Sequence, residues 1–118
     1  MNFNPAIPIY IQIMDRVKRD IVTGAIRRGE RVDSVRTLAA KFGVNLNTMQ
    51  RACAELEREQ ILTTQRGIGS FLTEDESVII ALKQEMSGQM TEDFLNGMKS
   101  IGYGGDEILK IIQEALKE

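Results

Sequence analysis

The stretch from Ser34 to Phe71 constrains this 118-residue chain more than any other part of it. It reads SVRTLAAKFGVNLNTMQRACAELEREQILTTQRGIGSF. Ser34 is a good N-cap for a short helix that buries Val35, Leu38, Ala39 and Phe42. Gly43 permits the left-handed conformation that ends a helix, and Asn45 then caps a second one. Two β-prone runs, 61–65 and 69–72, meet at Arg66-Gly67-Ile68-Gly69, whose glycines supply the positive φ of a hairpin tip. Helix, turn, helix and Gly-tipped hairpin in that order predict a mainly α fold with a small β-hairpin wing (α+β), a winged helix-turn-helix. A helix fit for the major groove with a hairpin beside it is an arrangement that reads duplex DNA.

The second helix carries the detail. On a wheel of about 100° per residue, Leu46, Met49, Ala52, Cys53 and Leu56 share one arc of about 120°. Asn47, Thr48, Arg51, Ala54 and Glu55 fall opposite. The apolar arc belongs to the core. The other arc has short polar groups near the helix start and one arginine a turn later, where amide dipoles favour phosphate and side chains are small enough to let bases approach.

The flanking segments divide by charge. Residues 1–73 carry eleven Lys and Arg against seven Asp and Glu, a balance of +4, while residues 74–118 carry four against ten, or −6. A basic front half meets phosphate and an acidic tail does not, and the domain boundary is placed at the polar break Thr73-Glu74-Asp75-Glu76 between them. In the front half, Pro8 suits the first turn of a helix from Ile9. Tyr10, Met14, Val17 and Ile21 form its apolar stripe with Ile13 beside it, and Gly24 suits its C-terminal end. Residues 26–32 read as a turn followed by one short strand. In the tail, Val78, Leu82, Met86, Met90, Phe94 and Met98 recur every four residues, predicting a long amphipathic helix strained at Ser87-Gly88. Gly102-Tyr103-Gly104-Gly105 breaks it, and Asp106 caps a last helix with Ile108, Leu109, Ile112, Ala115 and Leu116. Two helices cannot bury that much apolar surface against each other alone. A C-terminal two-helix dimerisation region over 74–118 follows, with Leu82, Met86, Met90, Phe94, Met98, Ile108 and Ile112 as its contacts.

Several function classes are excluded by composition. The chain has no histidine and one cysteine, so neither the commonest general base nor a Cys/His zinc site is available. No catalytic residue, metal or cofactor is expected, and the chain is not read as an enzyme. No apolar run reaches the roughly 20 residues of a membrane span. The N-terminus lacks a basic-then-apolar signal pattern, and a lone cysteine suits a reducing compartment. A cytoplasmic location is therefore expected.

The segments Pro8-Ile9-Tyr10-Ile11-Gln12-Ile13, Gly24-Ala25-Ile26, Gly29-Glu30-Arg31, Ser34-Val35-Arg36-Thr37-Leu38-Ala39, Gly43-Val44-Asn45-Leu46-Asn47-Thr48 and Arg66-Gly67-Ile68-Gly69-Ser70-Phe71 together resemble the GntR family of bacterial transcriptional regulators. The short two-helix tail resembles its YtrA subfamily. The resemblance implies a winged helix-turn-helix homodimer on a palindromic operator of double-stranded DNA, acting as a repressor, with ABC-transporter operons as common targets. It implies DNA contacts at Arg36, at Asn45, Asn47 and Thr48, at Arg51 one turn on, and at Arg66 and Gly67 of the wing. It identifies no small-molecule effector. Two departures stand out. Val32-Asp33 replaces a common Leu-Pro, and an acid there either opposes phosphate or caps the helix. Leu46 replaces a common proline.

Plainer readings compete with these. Arg36, Asn47, Thr48, Arg51 and Arg66 also suit solvated surface, Asn45 suits capping as well as base contact, and Lys18, Arg19, Arg27, Arg28 and Arg31 suit solvent more than DNA. The glycine clusters do not follow a strand and open a helix, so they are not nucleotide loops. Cys53 reads as a small buried hydrophobe and the Met series as dimer core. The alternative function is a protein-interaction module that uses the winged fold without DNA.

Overall fold

The computed structural model describes residues 2–117. Its elements are α1 (Ile9–Val22), α2 (Val35–Phe42), α3 (Leu46–Arg58), β1 (Leu62–Gln65), β2 (Gly69–Leu72), α4 (Glu76–Ser100) and α5 (Gly105–Ala115). Five helices and one antiparallel hairpin match the expected class. The chain forms two compact units that divide between Leu82 and Lys83.

In the first unit α1, α2 and β1 all pack on α3. Ile13, Ala39, Met49, Ala52 and Cys53 form the centre of the core, with Leu38, Phe42 and Val44 against it. Ile13 and Met49 are fully enclosed, and each such burial stabilises the fold by about 1.5–3 kcal/mol. On α1 the centre of the apolar stripe lies at Ile13 and Ile21, while Tyr10, Met14 and Val17 are only half-buried. Pro8 sits at the N-cap, one place before the expected first turn, with extended backbone (φ −52°, ψ 135°).

Helix ends follow hydrogen-bond need. At the end of α2 the Gly43 amide donates to Ala40 O (3.3 Å) and the Val44 amide to Ala39 O (3.0 Å), with Gly43 at φ 69°. This is the Schellman arrangement, which satisfies carbonyls that the helix leaves unpaired. The end of α3 repeats it without a glycine. Gln60, at φ 64°, donates its amide to Glu57 O (2.9 Å), and the Ile61 amide donates to Leu56 O (3.0 Å). The bend carries Ile61 into the core.

The wing is in register from Leu62↔Leu72 to Gln65↔Gly69. At its tip the Ile68 amide donates to Gln65 O (2.9 Å), and Gly67 at φ 78° occupies the third turn position, where a type II turn demands positive φ. The short strand expected before residue 33 is reduced to one bridge, Arg31↔Phe71. It is flanked by bonds from the Val32 amide to Ser70 O and from the Leu72 amide to Glu30 O, both 2.9 Å.

In α4, capped by the Asp75 carboxylate on the Ser77 amide (2.9 Å), the helix is continuous through Ser87-Gly88. A glycine inside a helix costs only about 1 kcal/mol, and 25 residues absorb it. The four-residue repeat does not match the helical pitch. Four residues turn about 400°, so the apolar series winds by about 40° per step and changes face along the helix. In the second unit α5 is capped at Gly104, not at Asp106. The Gly104 amide donates to Glu107 Oε1 (3.1 Å), and Asp106 lies in the first turn, where its charge suits the helix dipole.

Candidate nucleic-acid interface

The outward face of α3 begins at its cap. Asn45 Oδ1 accepts from the Thr48 amide at 2.8 Å, so this side chain holds the helix start. Asn47, Arg51 and Ala54 are exposed beyond it, while Thr48 and Glu55 are half-buried at the edges of the face. Gln50 is also exposed beside Arg51. Its place off the core arc is legible in the sequence, and its amide can bond an adenine edge.

Arg51 is held from outside its own helix. Its guanidinium lies over the Tyr10 ring, 4.0 Å from the centroid, and Nη2 donates to the Tyr10 hydroxyl at 3.3 Å. Such a contact is worth about 0.5–1 kcal/mol at an exposed site. Tyr10 therefore does more than line the α1 stripe, and no local signal could have shown it, because the two residues are 41 positions apart.

The basic side chains divide into paired and unpaired. Arg16, Lys18, Arg19, Arg28, Lys41, Arg58 and Lys117 have carboxylate partners. Among the described residues, Arg27, Arg31, Arg36, Arg51 and Arg66 have none, and all five are exposed. Arg36 stands in the first turn of α2, while Arg66 and the exposed Gly67 form the wing tip. Asp33 does not cap α2. Ser34 Oγ accepts from the Thr37 amide (3.2 Å), and Asp33 Oδ2 pairs with Lys41 Nζ, which neutralises an acid close to this face.

Elsewhere the chemistry is plain. Burial, then the Glu57 charge, push the Cys53 thiol above its usual range, which makes it a poor nucleophile. No group of three or more His, Cys, Asp or Glu among the described residues could hold a metal ion, and no helix is long and apolar enough to cross a membrane. Of the apolar tail residues, Leu82 and Ile108 are buried within the single chain, and Met86, Met98 and Ile112 are half-buried. Met90 and Phe94 remain exposed at 47% and 42%, and Leu109 and Leu116 more so at 56% and 76%.

Known proteins share this plan. Residues 9–72 match the family of bacterial regulatory proteins called the gntR family. The chain is 35% identical to an uncharacterised HTH-type transcriptional regulator, YhcF, of Bacillus subtilis, over 94% of this chain and 92% of that one. It is 34% identical to the HTH-type transcriptional repressor YtrA of the same organism, over 94% and 83%. A solved GntR-family regulator from Listeria monocytogenes superposes with a TM-score of 0.90 at 40% identity, covering 95% of this chain and 98% of that one. Fold, matched segment and full-length relatives agree: the chain belongs to the GntR family of DNA-binding, winged helix-turn-helix transcriptional regulators.

Proposed function

We propose that this regulator is a repressor that binds a palindromic operator as a homodimer in the cytoplasm, with residues 1–73 on DNA and residues 74–118 joining the subunits. The observation that carries it is that Arg51 on the outward face of α3, Arg36 in the first turn of α2 and Arg66 at the wing tip are all exposed and without carboxylate partners. Unpaired guanidinium groups release counterions from phosphate and supply most of the affinity. Asn47, Thr48 and Arg51 then choose sequence at base edges, each good contact worth about 1–3 kcal/mol. Asn45 contributes by fixing the helix start, and Gly67 lets the wing backbone approach the minor groove. Repression is supported by the likeness to the B. subtilis YtrA repressor, and a transporter operon as target by the subfamily resemblance.

Of the seven expected tail contacts, Met90 and Phe94 have the most area left to bury. Two copies bound to a palindrome place their recognition helices about 34–36 Å apart, in successive major grooves. Sedimentation and footprinting test both halves of the proposal. The wild-type chain should sediment at twice 13.3 kDa and protect two such grooves on one side of a fragment from its own promoter. Phe94→Glu should shift the mass toward one subunit and abolish the paired footprint. A wild-type mass of one subunit would overturn the homodimer.

A further inference from the structure

Arg31 stands outside every DNA contact assigned above, yet its surroundings are built. Its backbone is pinned to β2 by the bridge to Phe71 and the two flanking hydrogen bonds. The Nε–Nη2 side of its guanidinium closes on Gly69: a Cβ there would stand 2.8 Å from Nε, 3.2 Å from Nη2 and 3.3 Å from Cζ. Gly69 adopts φ 144°, which L side chains also avoid. The glycine thus serves two ends, a turn conformation and a seat for an arginine. Arg31 is exposed and, among the described residues, has no carboxylate partner.

The seat opens onto a groove of about 350 Å³ between the wing and the start of α2, walled by Arg31, Ser34, Val35, Gly67, Ile68 and Gly69. Asp33 also lines it, but that carboxylate is paired with Lys41. The positive end of the α2 dipole faces the same space and favours an anion. A guanidinium braced against backbone loses little freedom on binding and presents its outer N–H groups in a fixed fork, the geometry that suits a phosphate.

We infer that Arg31, seated on Gly69, is a DNA-backbone contact that clamps a phosphate between the wing and α2 and sets how the wing lies on the duplex. This rests on the proposal that the chain binds DNA through this face. A backbone contact is blind to sequence, so a labelled random-sequence duplex is a sufficient probe.

The test is the slope of log K against log salt for the full-length chain. Each phosphate contact adds about 0.9 to that slope, so Arg31→Gln, which keeps a stem and an amide over Gly69, should lower it by about 0.9 per subunit and weaken binding several-fold. Arg31→Lys should keep the slope but bind more weakly, because an ammonium lacks the planar fork that Gly69 leaves room for. Gly69→Ala should weaken binding in the wild-type background more than in Arg31→Gln. An unchanged slope in Arg31→Gln beside a lowered slope in Arg36→Ala would overturn the Arg31 assignment alone. A flat wild-type response would overturn DNA binding by this face, and Arg31 with it. Thermal melts of each variant identify any loss that comes from unfolding, and Arg31→Lys then carries the comparison of slope.

Discussion

Arg51 owes its position to Tyr10 more than to its own helix. The ring beneath the guanidinium and the hydroxyl beside it hold a long, flexible side chain near one rotamer, which lowers the entropy lost when it meets a base or phosphate. Removing the ring should therefore weaken DNA binding even though Tyr10 itself need touch no DNA. Tyr10→Ala should reduce affinity by about two- to five-fold, the equivalent of 0.5–1 kcal/mol, while Tyr10→Phe keeps the ring and should lose less. Fluorescence anisotropy with a promoter fragment reads both, and stronger binding by Tyr10→Ala would show instead that the ring holds Arg51 back. The wheel was enough to put Asn47 and Arg51 on the outward face, because a 3.6-residue period separates buried from exposed positions without reference to anything distant. It could not show the partner from α1, nor that Lys41 answers the acid at Asp33, because both depend on tertiary folding. Arg31 was read as solvated for the same reason: its seat is made by a glycine 38 positions on.

At the level of elements, caps decided most of what could be foreseen. Ser34, Gly43 and Asn45 announced the bounds of α2 and α3, and each cap is present with the expected bond. Where the signal residue was missing, the reading slipped. The end of α3 bends at Gln60, a position without a glycine to mark it, and α5 is capped through Glu107 one residue beyond the expected Asp106. These features yield opposed stability effects. Asn45→Ala should lower stability by about 1 kcal/mol through loss of the cap on the Thr48 amide. Gln60→Gly should raise it by about 0.5–1 kcal/mol, since a non-glycine residue at φ 64° carries backbone strain that glycine does not. Thermal melts of both variants check this pair, and a drop in Gln60→Gly would mean that the strain is offset by contacts the side chain makes. The four-residue repeat of α4 misled in a different way. It looks amphipathic on paper, but its drift sends Val78 and Met98 toward nearly opposite sides, and only the true helical pitch exposes this.

For the molecule as a whole, charge and apolar surface are segregated. A basic N-terminal segment presents arginines around α3 and the wing, and an acidic tail leaves Met90 and Phe94 uncovered. Composition alone showed the charge division and the lack of any histidine. The central claim is that the face carrying Arg36 and Arg51 reads duplex DNA. Its most direct measurement compares affinities for a palindromic fragment from the chain's own promoter among the wild type, Arg36→Ala, Arg51→Ala and Lys110→Ala, at one fixed salt concentration. The account predicts that Arg36→Ala and Arg51→Ala each lose roughly ten-fold or more, in line with about 1–3 kcal/mol per contact, while Lys110→Ala on α5 binds as wild type does. Losses no greater in the two arginine variants than in Lys110→Ala would contradict it.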